Sequence, residues 1–509
     1  MSRSLFADLS RAINVSMFAQ INGLVGSGIL AAQTTQYLGD ISKAAWLSAI
    51  ITILTLALTP ILSQVADYWG RRWPVILLNL GGIAGAIIIS RSDNIRTLIA
   101  GFCILGISFG NQSISYAIPS EILPRRYRSL GQASLNVVAG VGGIVGILVA
   151  GALLKDNNVA NFRIYWYIVA GLYFIALAGV AVGYRPPPRQ LERSLSTKQK
   201  INSLDWTGTS VLTAALVTFC VALEYSDNPY TWSNAHVVAP FAVSIVLYLL
   251  FAVYEWRFKT DGIMNHQLFS NKNFAMSITA TFVEGVAYFT TNSYFTREVQ
   301  ILTRTNLFEA CLRYCILFVA TVTFALLAGF YTAWTKKLCE PLSFGFIVFI
   351  IFNFIMASVK TSTSPIVFWG YPVVGGMGLG CLLTELTVAA QMSTPKDMIS
   401  VTTGIVISVR SLGGAIGVAV NNAVYNQALS RNLVPKIAAA VLPLGFPQQY
   451  LSDLVAALSS GSSEALSQVP NATSAIIRAA SAAEDEAYVL AFRNVWICAA
   501  AFSGAGLVG

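Results

Sequence analysis

Long apolar runs separated by short polar segments repeat along the whole 509-residue chain. A helix needs about 20 apolar residues to cross the hydrocarbon core of a bilayer. Runs of about this length are predicted at 12–32, 44–65, 73–90, 95–117, 129–153, 164–183, 206–226, 235–255, 272–293, 308–331, 342–358, 365–392, 403–428 and 488–508. The pattern therefore predicts an all-α membrane protein with about fourteen transmembrane helices.

The polar residues between these runs do not suit a soluble or nucleic-acid-binding protein. Hydrophobic residues make up 55% of the chain and charged residues 11%, whereas soluble proteins keep about a quarter of their residues charged. The net charge is +9, but the basic residues lie in short gaps between apolar runs, which is typical of membrane topology. We therefore expect membrane lipid, and no nucleic acid, around the chain.

Cysteine and histidine are too scattered to indicate a disulfide framework or a metal site. Most of the seven cysteines lie in apolar runs, none forms a CxxC pair, and His236 and His266 are far apart. The chain has no Walker loop for ATP. Its match to the hydrolase pattern G-x-S-x-G, at 106–110, lies inside an apolar run instead of a strand–turn–helix elbow. We predict no enzyme activity, no metal and no cofactor.

Lysine and arginine are distributed unequally between the two sides of the predicted spans. With the N-terminus inside, eighteen of them fall on the inner side and eight in short outer loops. This bias predicts that both termini are cytoplasmic. The sequon at 471–473 then lies outside, so Asn471 is a candidate glycosylation site. We expect the plasma membrane, with the vacuolar membrane as the alternative.

Two long segments interrupt the series of predicted spans, and the chain divides into three parts. Residues 184–204 predict a flexible cytoplasmic linker, and residues 429–487 predict a long outer loop with short amphipathic helices. The parts are a six-helix bundle at 1–183, the linker with two extra helices at 184–271, and a second six-helix bundle at 272–509.

The two six-helix parts contain a weak internal repeat. Residues 63–72 read S-x-x-x-D-x-x-G-R-R after the second span, and residues 329–337 read G-x-x-x-A-x-x-K-K at the matching place in the second half. The glycine pair at 142–146 in the fifth span is matched by a pair at 413–417 in span thirteen. Repeated halves that meet at a midplane site are a recurrent transporter design.

These motifs resemble those of the major facilitator superfamily over nearly the whole chain. Residues 63–72 look like its signature G-x-x-x-D-x-x-G-R-R, and residues 121–128 (EILPRRYR) are similar to its acidic–basic segment after the fourth helix. Residues 142–151 resemble the antiporter motif G-x-x-x-G-P-x-x-G-G, with isoleucine at the proline position. The phrases at 117–124 (AIPSEILP) and 410–417 (RSLGGAIG) look like fungal fourteen-helix drug:proton antiporters of the trichothecene-efflux-pump-like group, beside which siderophore transporters lie.

The resemblance implies a major facilitator fold of two six-helix bundles with two inserted helices. It also implies a monomer that exports an amphipathic organic compound, such as a toxin, drug or secondary metabolite, in exchange for protons. Proton-coupled uptake of a siderophore or another nutrient is one alternative, and a transport-dead sensor on the same scaffold is another. Phe102 stands where many relatives carry arginine, and the first span has no aspartate, so the usual proton-relay positions are missing.

Two acids lie deep inside predicted spans, where an ionisable group is costly and hence a functional candidate. Glu284 lies twelve residues into its span, roughly 18 Å along a helix. It is the candidate proton carrier, with substrate contact or a structural hydrogen bond as alternatives. Glu385 and Arg410 lie at similar depths and predict a buried ion pair, with proton carriage by Glu385 as the alternative. Glu309 and Arg313 predict an i,i+4 pair near the outer mouth.

The resemblance also implies which residues line a transport cavity, because the first and fourth helices of each half do so in this superfamily. The amide, hydroxyl and aromatic residues of those spans are Gln20, Asn22, Asn111, Gln112, Tyr116, Thr281, Tyr288 and Thr384, beside Glu284 and Glu385. Such groups suit an amphipathic and mostly uncharged ligand. Each could instead bond a neighbouring helix.

A cytoplasmic latch is predicted at the turn after the second span. Gly70 permits a tight turn, and Asp67 can meet a helix N-terminus or an arginine. Such contacts form when the cytoplasmic side is closed and break when it opens. The other predicted gating residues are Arg71, Arg72, Glu121, Arg128 and Arg410. Close helix packing is predicted at Gly142, Gly146, Gly151, Gly413 and Gly417.

Overall fold

The chain is almost wholly α-helical in the computed structural model. The structure describes residues 3–39, 44–154, 159–185, 196–226, 230–258, 266–395, 398–460, 466 and 468–508. Across these ranges the strand-like pairing is limited to an isolated bridge between Ser226 and Tyr230. The all-α fold predicted from the apolar runs is confirmed.

The N-terminal bundle has six membrane-crossing elements. Its helices are α1 (Arg3–Tyr37), α2 (Ala44–Trp69), α3 (Arg72–Ser90), α4 (Ile95–Ser108), α5 (Asn111–Ile122), α6 (Arg128–Leu154) and α7 (Phe162–Gly183). A short break separates α4 from α5, and the two together make one apolar span, Ile95–Ile122. The end of the bundle that carries the α2–α3 turn, predicted to be cytoplasmic, is the inner end below.

Three helices follow, and the C-terminal bundle then repeats the six-element arrangement. The intervening helices are α8 (Thr197–Ser203), α9 (Trp206–Tyr225) and α10 (Ala235–Arg257). The C-terminal helices are α11 (His266–Phe269), α12 (Lys272–Thr303), α13 (Leu307–Thr335), α14 (Cys339–Ala357), α15 (Val367–Met392), α16 (Ile399–Val441), α17 (Leu451–Ser460) and α18 (Ser474–Val508). Of these, α11 and α17 are too short to cross a membrane.

Among the described long helices, α12 is not apolar enough to count as a membrane span by composition alone. Thirteen other spans among the described residues are long and apolar enough to cross a membrane. α12 carries Glu284, Arg297 and Glu298, and it packs against α13, α15, α16 and α18. Protein therefore surrounds much of α12, which makes its charged residues tolerable. With α12 the described chain has the fourteen long spans that the sequence predicts.

The outer region differs from the prediction. α16 has 43 residues and continues to Val441, and α18 begins at Ser474, so the predicted loop at 429–487 is helical at both ends. Both extensions are rich in alanine, a strong helix former. Their charged residues end the apolar run without ending the helix, because charge is tolerated on a helix outside lipid. Buried residues of the extensions and α17, including Ile437 and Leu454, form a separate small core.

The described end of the predicted linker contains a helix. Residues 186–195 lie outside the described residues, but α8 begins directly after Ser196. The Gln199 side chain accepts from the Ser196 backbone N–H at 2.8 Å, and Ser196 Oγ accepts from the Gln199 backbone N–H at 3.4 Å. This reciprocal capping box stabilises the first turn of α8.

The inserted pair α9–α10 packs where the two bundles meet. Leu216 of α9 forms a buried cluster with Leu56 of α2, and Leu412 of α16 lies against this cluster. Leu249 of α10 is 62% exposed, in keeping with a helix that faces lipid. Between the bundles themselves, α2 and α5 contact α16, and α6 contacts α13 and α15.

The two bundles use glycine at matching places. Gly142 of α6 lies against α1, where an added Cβ would be 3.2 Å from the Phe18 carbonyl oxygen. Gly413 of α16 lies so close to α12 that a Cβ would overlap the carbonyl oxygen of Phe282. In both bundles the fifth span therefore packs closely on the first.

The turns after the second span of each bundle also match. Gly70, between α2 and α3, has φ 79°, and Lys336, between α13 and α14, has φ 62°. Both lie in the left-handed region, which glycine adopts readily and other residues adopt at a cost. The need for a tight turn at Gly70 is as predicted.

Candidate transport site

A central cavity lies between the two bundles. Its wall is mainly apolar, with Ile21 and Phe109 on the N-terminal side and Phe289 and Phe318 on the C-terminal side. The polar side chains that reach it include Gln112, Tyr116, Asn136, Tyr288 and Arg410. Its volume is about 100 Å³, whereas pockets for drug-sized ligands measure roughly 300–1,000 Å³. The conformation is therefore a contracted one.

Three of the predicted lining residues, Gln112, Tyr116 and Tyr288, reach this cavity. The other predicted amides and hydroxyls make hydrogen bonds within or between helices: Gln20 to Ser108 O, Asn22 to Phe18 O, Asn111 to Ser16 Oγ, Thr281 to Ser277 O, and Asn136 to Thr384 Oγ1. These predicted side chains do not line this cavity in the present conformation. A polar group in an apolar interior takes the nearest partner, which is often a backbone carbonyl.

Asn136 is a cavity residue that the family pattern missed, because it lies on the fifth span. Tyr116 donates from its hydroxyl to Asn136 Oδ1 at 2.8 Å, and Asn136 Nδ2 donates to Thr384 Oγ1 at 3.0 Å. The chain of bonds runs from α5 through α6 to α15, so it joins the bundles. An amide inside the apolar run at 129–153 was the available signal.

The strongest charge contact of the site joins Glu284 and Arg410. Arg410 Nε donates to Glu284 Oε2 at 2.6 Å. Glu284 is 0% exposed and Arg410 9%, and the arginine lines the cavity. Hydrogen bonds between ionised partners of this kind are stronger than neutral ones. The pair places an acid behind the cavity wall.

The predicted pair between Glu385 and Arg410 is wrong. The two residues were placed at similar depth, but depth does not decide which helix a side chain faces. Gly413 and its neighbours bring α16 close to α12, so Arg410 meets Glu284. α15 instead packs against α13 and also touches α6, which turns Glu385 toward those helices.

Glu385 is held by two hydroxyl groups. Ser129 Oγ lies 3.0 Å from Glu385 Oε2, and Thr332 Oγ1 lies 3.0 Å from Oε1. Glu385 is 0% exposed. Ser129 belongs to the N-terminal bundle and Thr332 to the C-terminal bundle, so this acid also touches both bundles.

Arg71 joins the bundles at the inner end. Its guanidinium donates to Glu121 of α5 and to Ser400 Oγ of α16, and Asp67 Oδ1 lies 3.9 Å away. Arg71 and Asp67 are both buried. Contacts of this kind must break if the bundles part at this end.

The other predicted gating arginines of the N-terminal bundle are Arg72 and Arg128. Arg72 Nη2 donates to the Ala181 carbonyl oxygen at 2.9 Å. Arg128 is buried at the start of α6.

The predicted ion pair between Glu309 and Arg313 is also wrong. Arg313 Nη1 donates to Thr303 Oγ1 at 3.0 Å, and its guanidinium lies 5.6 Å from the centre of the Trp369 ring. Arg313 is buried whereas Glu309 is exposed. A ring face and a nearby hydroxyl can hold a buried arginine, while an exposed carboxylate at i−4 contributes little.

The remaining predicted glycines lie at helix contacts, and the sequon is exposed. A Cβ on Gly146 would be 3.2 Å from Asn22 Oδ1, one on Gly151 would be 2.5 Å from Phe308, and one on Gly417 would be 2.8 Å from Val286. Asn471 is exposed in the turn that precedes α18.

Two six-helix bundles that enclose a mainly apolar cavity with a few polar side chains in its wall, and that are joined by hydrogen bonds at the inner end, define a membrane transporter. The chain belongs to the major facilitator superfamily, since the model described as "Major Facilitator Superfamily" matches residues 10–418. It is thus a multi-pass membrane protein of a family that carries small molecules, and not an enzyme.

Fungal transporters are among its relatives. The MFS-type transporter ucsD of Acremonium sp is 23% identical over 416 residues, which cover 80% of this chain and 69% of that protein. The MFS efflux transporter inpD of Emericella nidulans is 25% identical over 377 residues, 71% of this chain and 70% of that protein.

Solved structures show the same fold. The human organic anion transporter MFSD10 (TETRAN) matches with a TM-score of 0.56 at 11% identity, over 99% of this chain and 100% of that chain. The proton:xylose symporter XylE matches with a TM-score of 0.56 at 13% identity, over 81% of this chain and 87% of that chain. At these identities the likeness concerns the fold alone.

Proposed function

We propose that this transporter exports amphipathic organic compounds in exchange for protons. The observation that carries the proposal is the buried pair of Glu284 with Arg410, because it couples an acid that can take up a proton to a side chain in the cavity wall. The names of relatives such as inpD, an efflux transporter, support the direction of transport.

The cavity wall suits an amphipathic ligand. Aromatic and aliphatic side chains such as Phe109 and Phe318 offer apolar contact, and a few groups such as Gln112 and Tyr288 offer hydrogen bonds. Pockets for organic ligands combine these two features. Because the cavity is small in this conformation, the bundles must move apart before a compound of drug size can bind.

The pair provides the link between proton and substrate. When Glu284 is ionised, it neutralises Arg410 and holds its Nε. When Glu284 takes up a proton, Arg410 keeps its charge and its donors become free to turn toward the cavity. Protonation therefore disfavours a cationic ligand, and by reciprocity such a ligand favours release of the proton. Exchange requires this antagonism.

The remaining parts of the proposal concern energy and place. The proton gradient is the energy source, without a cofactor, and the monomer is the working unit. The positive-inside bias supports an inner end in the cytoplasm. A location in the plasma membrane fits export from the cell.

The test uses purified protein in liposomes with an imposed pH gradient and a panel of fluorescent amphipathic dyes. We expect dye to move against the direction of proton flow and Glu284→Gln to abolish this coupled movement. The matched control is Glu298→Gln, the same change at a buried acid on the same helix that accepts a 2.6 Å bond from Trp496. Glutamine can still accept that bond, so coupling is expected to persist.

Other outcomes would replace the proposal. Dye or an iron-siderophore moving together with protons would make the protein an uptake transporter. If no solute moved under any gradient, the protein would be a sensor on this scaffold. Normal coupling in Glu284→Gln would remove this residue as the carrier.

A further inference from the structure

Glu385 lies on the interface that closes the inner end. Hydrogen bonds from α5 and α6 of the N-terminal bundle to α15 of the C-terminal bundle define what we term the inner seam. They join Ser129 to Glu385, Asn136 to Thr384, and Ser120 to Gln391. Glu385 is the ionisable member of these pairs.

The surroundings of Glu385 hold no charge of opposite sign in contact with it. In the described part of the chain no ion pair includes Glu385. On the α6 side, Arg126 donates to the Ala333 carbonyl oxygen at 3.0 Å, and Arg128 flanks Ser129. Beyond the end of α13, Lys337 pairs with Glu340 of α14 at 2.5 Å.

The other titratable groups near this helix are exposed, paired elsewhere or uncharged. Lys336 is exposed in the α13–α14 turn, and Glu284 of α12 is paired with Arg410. On α15 itself, the thiol of Cys381 lies one turn before Glu385 and is buried. Glu121 of α5 binds Arg71. A carboxylate at Glu385 would thus be stabilised by two hydroxyls alone.

Burial of an uncompensated carboxylate is strongly unfavourable, so the group takes up a proton instead. The two hydroxyl contacts fit the protonated acid as well, because Ser129 and Thr332 can each donate or accept. The closed seam therefore favours the neutral acid.

Opening the inner end reverses this preference. Ser129 moves away with the N-terminal bundle, whereas Thr332 stays with Glu385 in the C-terminal bundle. The carboxyl group then meets water, which stabilises its ionised form. Protonation and closure are thereby linked: a bound proton favours the closed seam, and opening favours loss of the proton.

We propose that Glu385 is a second proton-binding site, which holds a proton while the inner seam is closed and releases it to the inner side when the seam opens. The inference rests on the proposed proton exchange and deepens it. Glu284 carries the proton that competes with substrate, and Glu385 makes closure of the inner end depend on pH.

The test measures the width of the inner end without substrate or gradient. Spin labels are placed at Arg125→Cys and Lys337→Cys, which are exposed on opposite bundles, after Cys103→Ala, Cys339→Ser and Cys498→Ala remove the accessible native thiols. Label-to-label distances are recorded in lipid nanodiscs over a pH series.

We expect the short-distance population to dominate at low pH and to fall as the pH rises. Glu385→Gln, which mimics the protonated acid, should keep the short distance at every pH. The control Glu298→Gln changes an acid outside the seam and should titrate as the parent does. The inference would be overturned if the label-to-label distances in the parent did not change with pH. It would also be overturned if the distances in Glu385→Gln changed with pH as they do in the parent.

Two variants that each remove one hydroxyl group distinguish the contact of Glu385 across the inner seam from the effect of its burial. Ser129→Ala removes the contact that crosses the bundles and should enlarge the long-distance population. Thr332→Val removes a contact within one bundle and should leave the distances of the parent nearly unchanged. Equal shifts in both variants would contradict a gating role.

The two proposals fail separately. If the seam responds to pH through Glu385 while no solute moves against protons in liposomes, the proposed exchange is wrong and the proton-sensitive gate stands. If exchange occurs but replacing Glu385 does not alter the pH dependence of the inner seam, this inference alone is wrong.

Discussion

Arg410 Nε lies 2.6 Å from Glu284 Oε2, and this contact fastens α16 to α12 inside the C-terminal bundle. Close backbone approach makes it possible, since a Cβ on Gly285 would overlap the carbonyl oxygen of Arg410. Breaking a buried pair by removing one partner costs roughly 3–5 kcal/mol, because the other charge stays unpaired. The stability of this bundle therefore depends on both side chains.

Exchanging the two charges tests the pair directly. Glu284→Arg and Arg410→Glu should each lower the thermal stability of the purified protein, and the double variant should recover part of the loss because opposite charges face each other again. Glu385→Arg with Arg410→Glu should give no such recovery. A rescue by the second combination and not by the first would contradict the observed pairing.

The close packing of α12 and α16 predicts a severe effect at Gly413. Gly413→Ala inserts a methyl group where the Phe282 carbonyl oxygen lies, and overpacking of this kind costs typically about 1–3 kcal/mol. We expect a lower melting temperature in detergent and weaker proton coupling, since Arg410 shifts with the helix. Gly504→Ala is the control, because a Cβ there meets nothing within 4 Å.

The two matching turns predict that introducing glycine at Lys336 and replacing the glycine at Gly70 change the stability of the protein in opposite directions. Lys336 has φ 62° and Gly70 has φ 79°, and a residue other than glycine loses about 1–2 kcal/mol in this region. Lys336→Gly should therefore raise the melting temperature of the purified protein, and Gly70→Ala should lower it. No gain from Lys336→Gly would mean that its side chain compensates for the turn.

The exposed sequon predicts a glycan on the outer side. Asn471→Gln should remove the mass that an N-glycan adds to protein expressed in a eukaryotic host, as seen by gel mobility after glycosidase treatment. Thr473→Ser keeps the sequon and should keep the glycan. An identical mobility of parent and Asn471→Gln, before and after the enzyme, would leave the site unmodified and weaken the predicted topology.

Much of the fold follows from local chemistry. Uninterrupted apolar runs have few alternatives to spanning helices, because backbone polar groups in lipid must bond within the segment. The repeated glycine pairs at 142–146 and 413–417 also indicated where helices approach closely, and Gly413 and Gly142 lie at such places. The ends of α16 and α18 were missed, because a helix can continue into water after its apolar run has ended.

The sequence by itself determined that this chain crosses the membrane many times, that its halves are related, and that Glu284 and Glu385 are costly groups in its interior. Only the tertiary structure decided their partners. Arg410 is near both in predicted depth, but helix rotation and the glycine contacts of α16 bring it to Glu284. Glu385 instead accepts hydrogen bonds from one hydroxyl group of each bundle, since α15 lies at their interface. The depth of a residue along a helix follows from the local sequence. Which neighbouring helix its side chain faces depends on packing across the whole molecule.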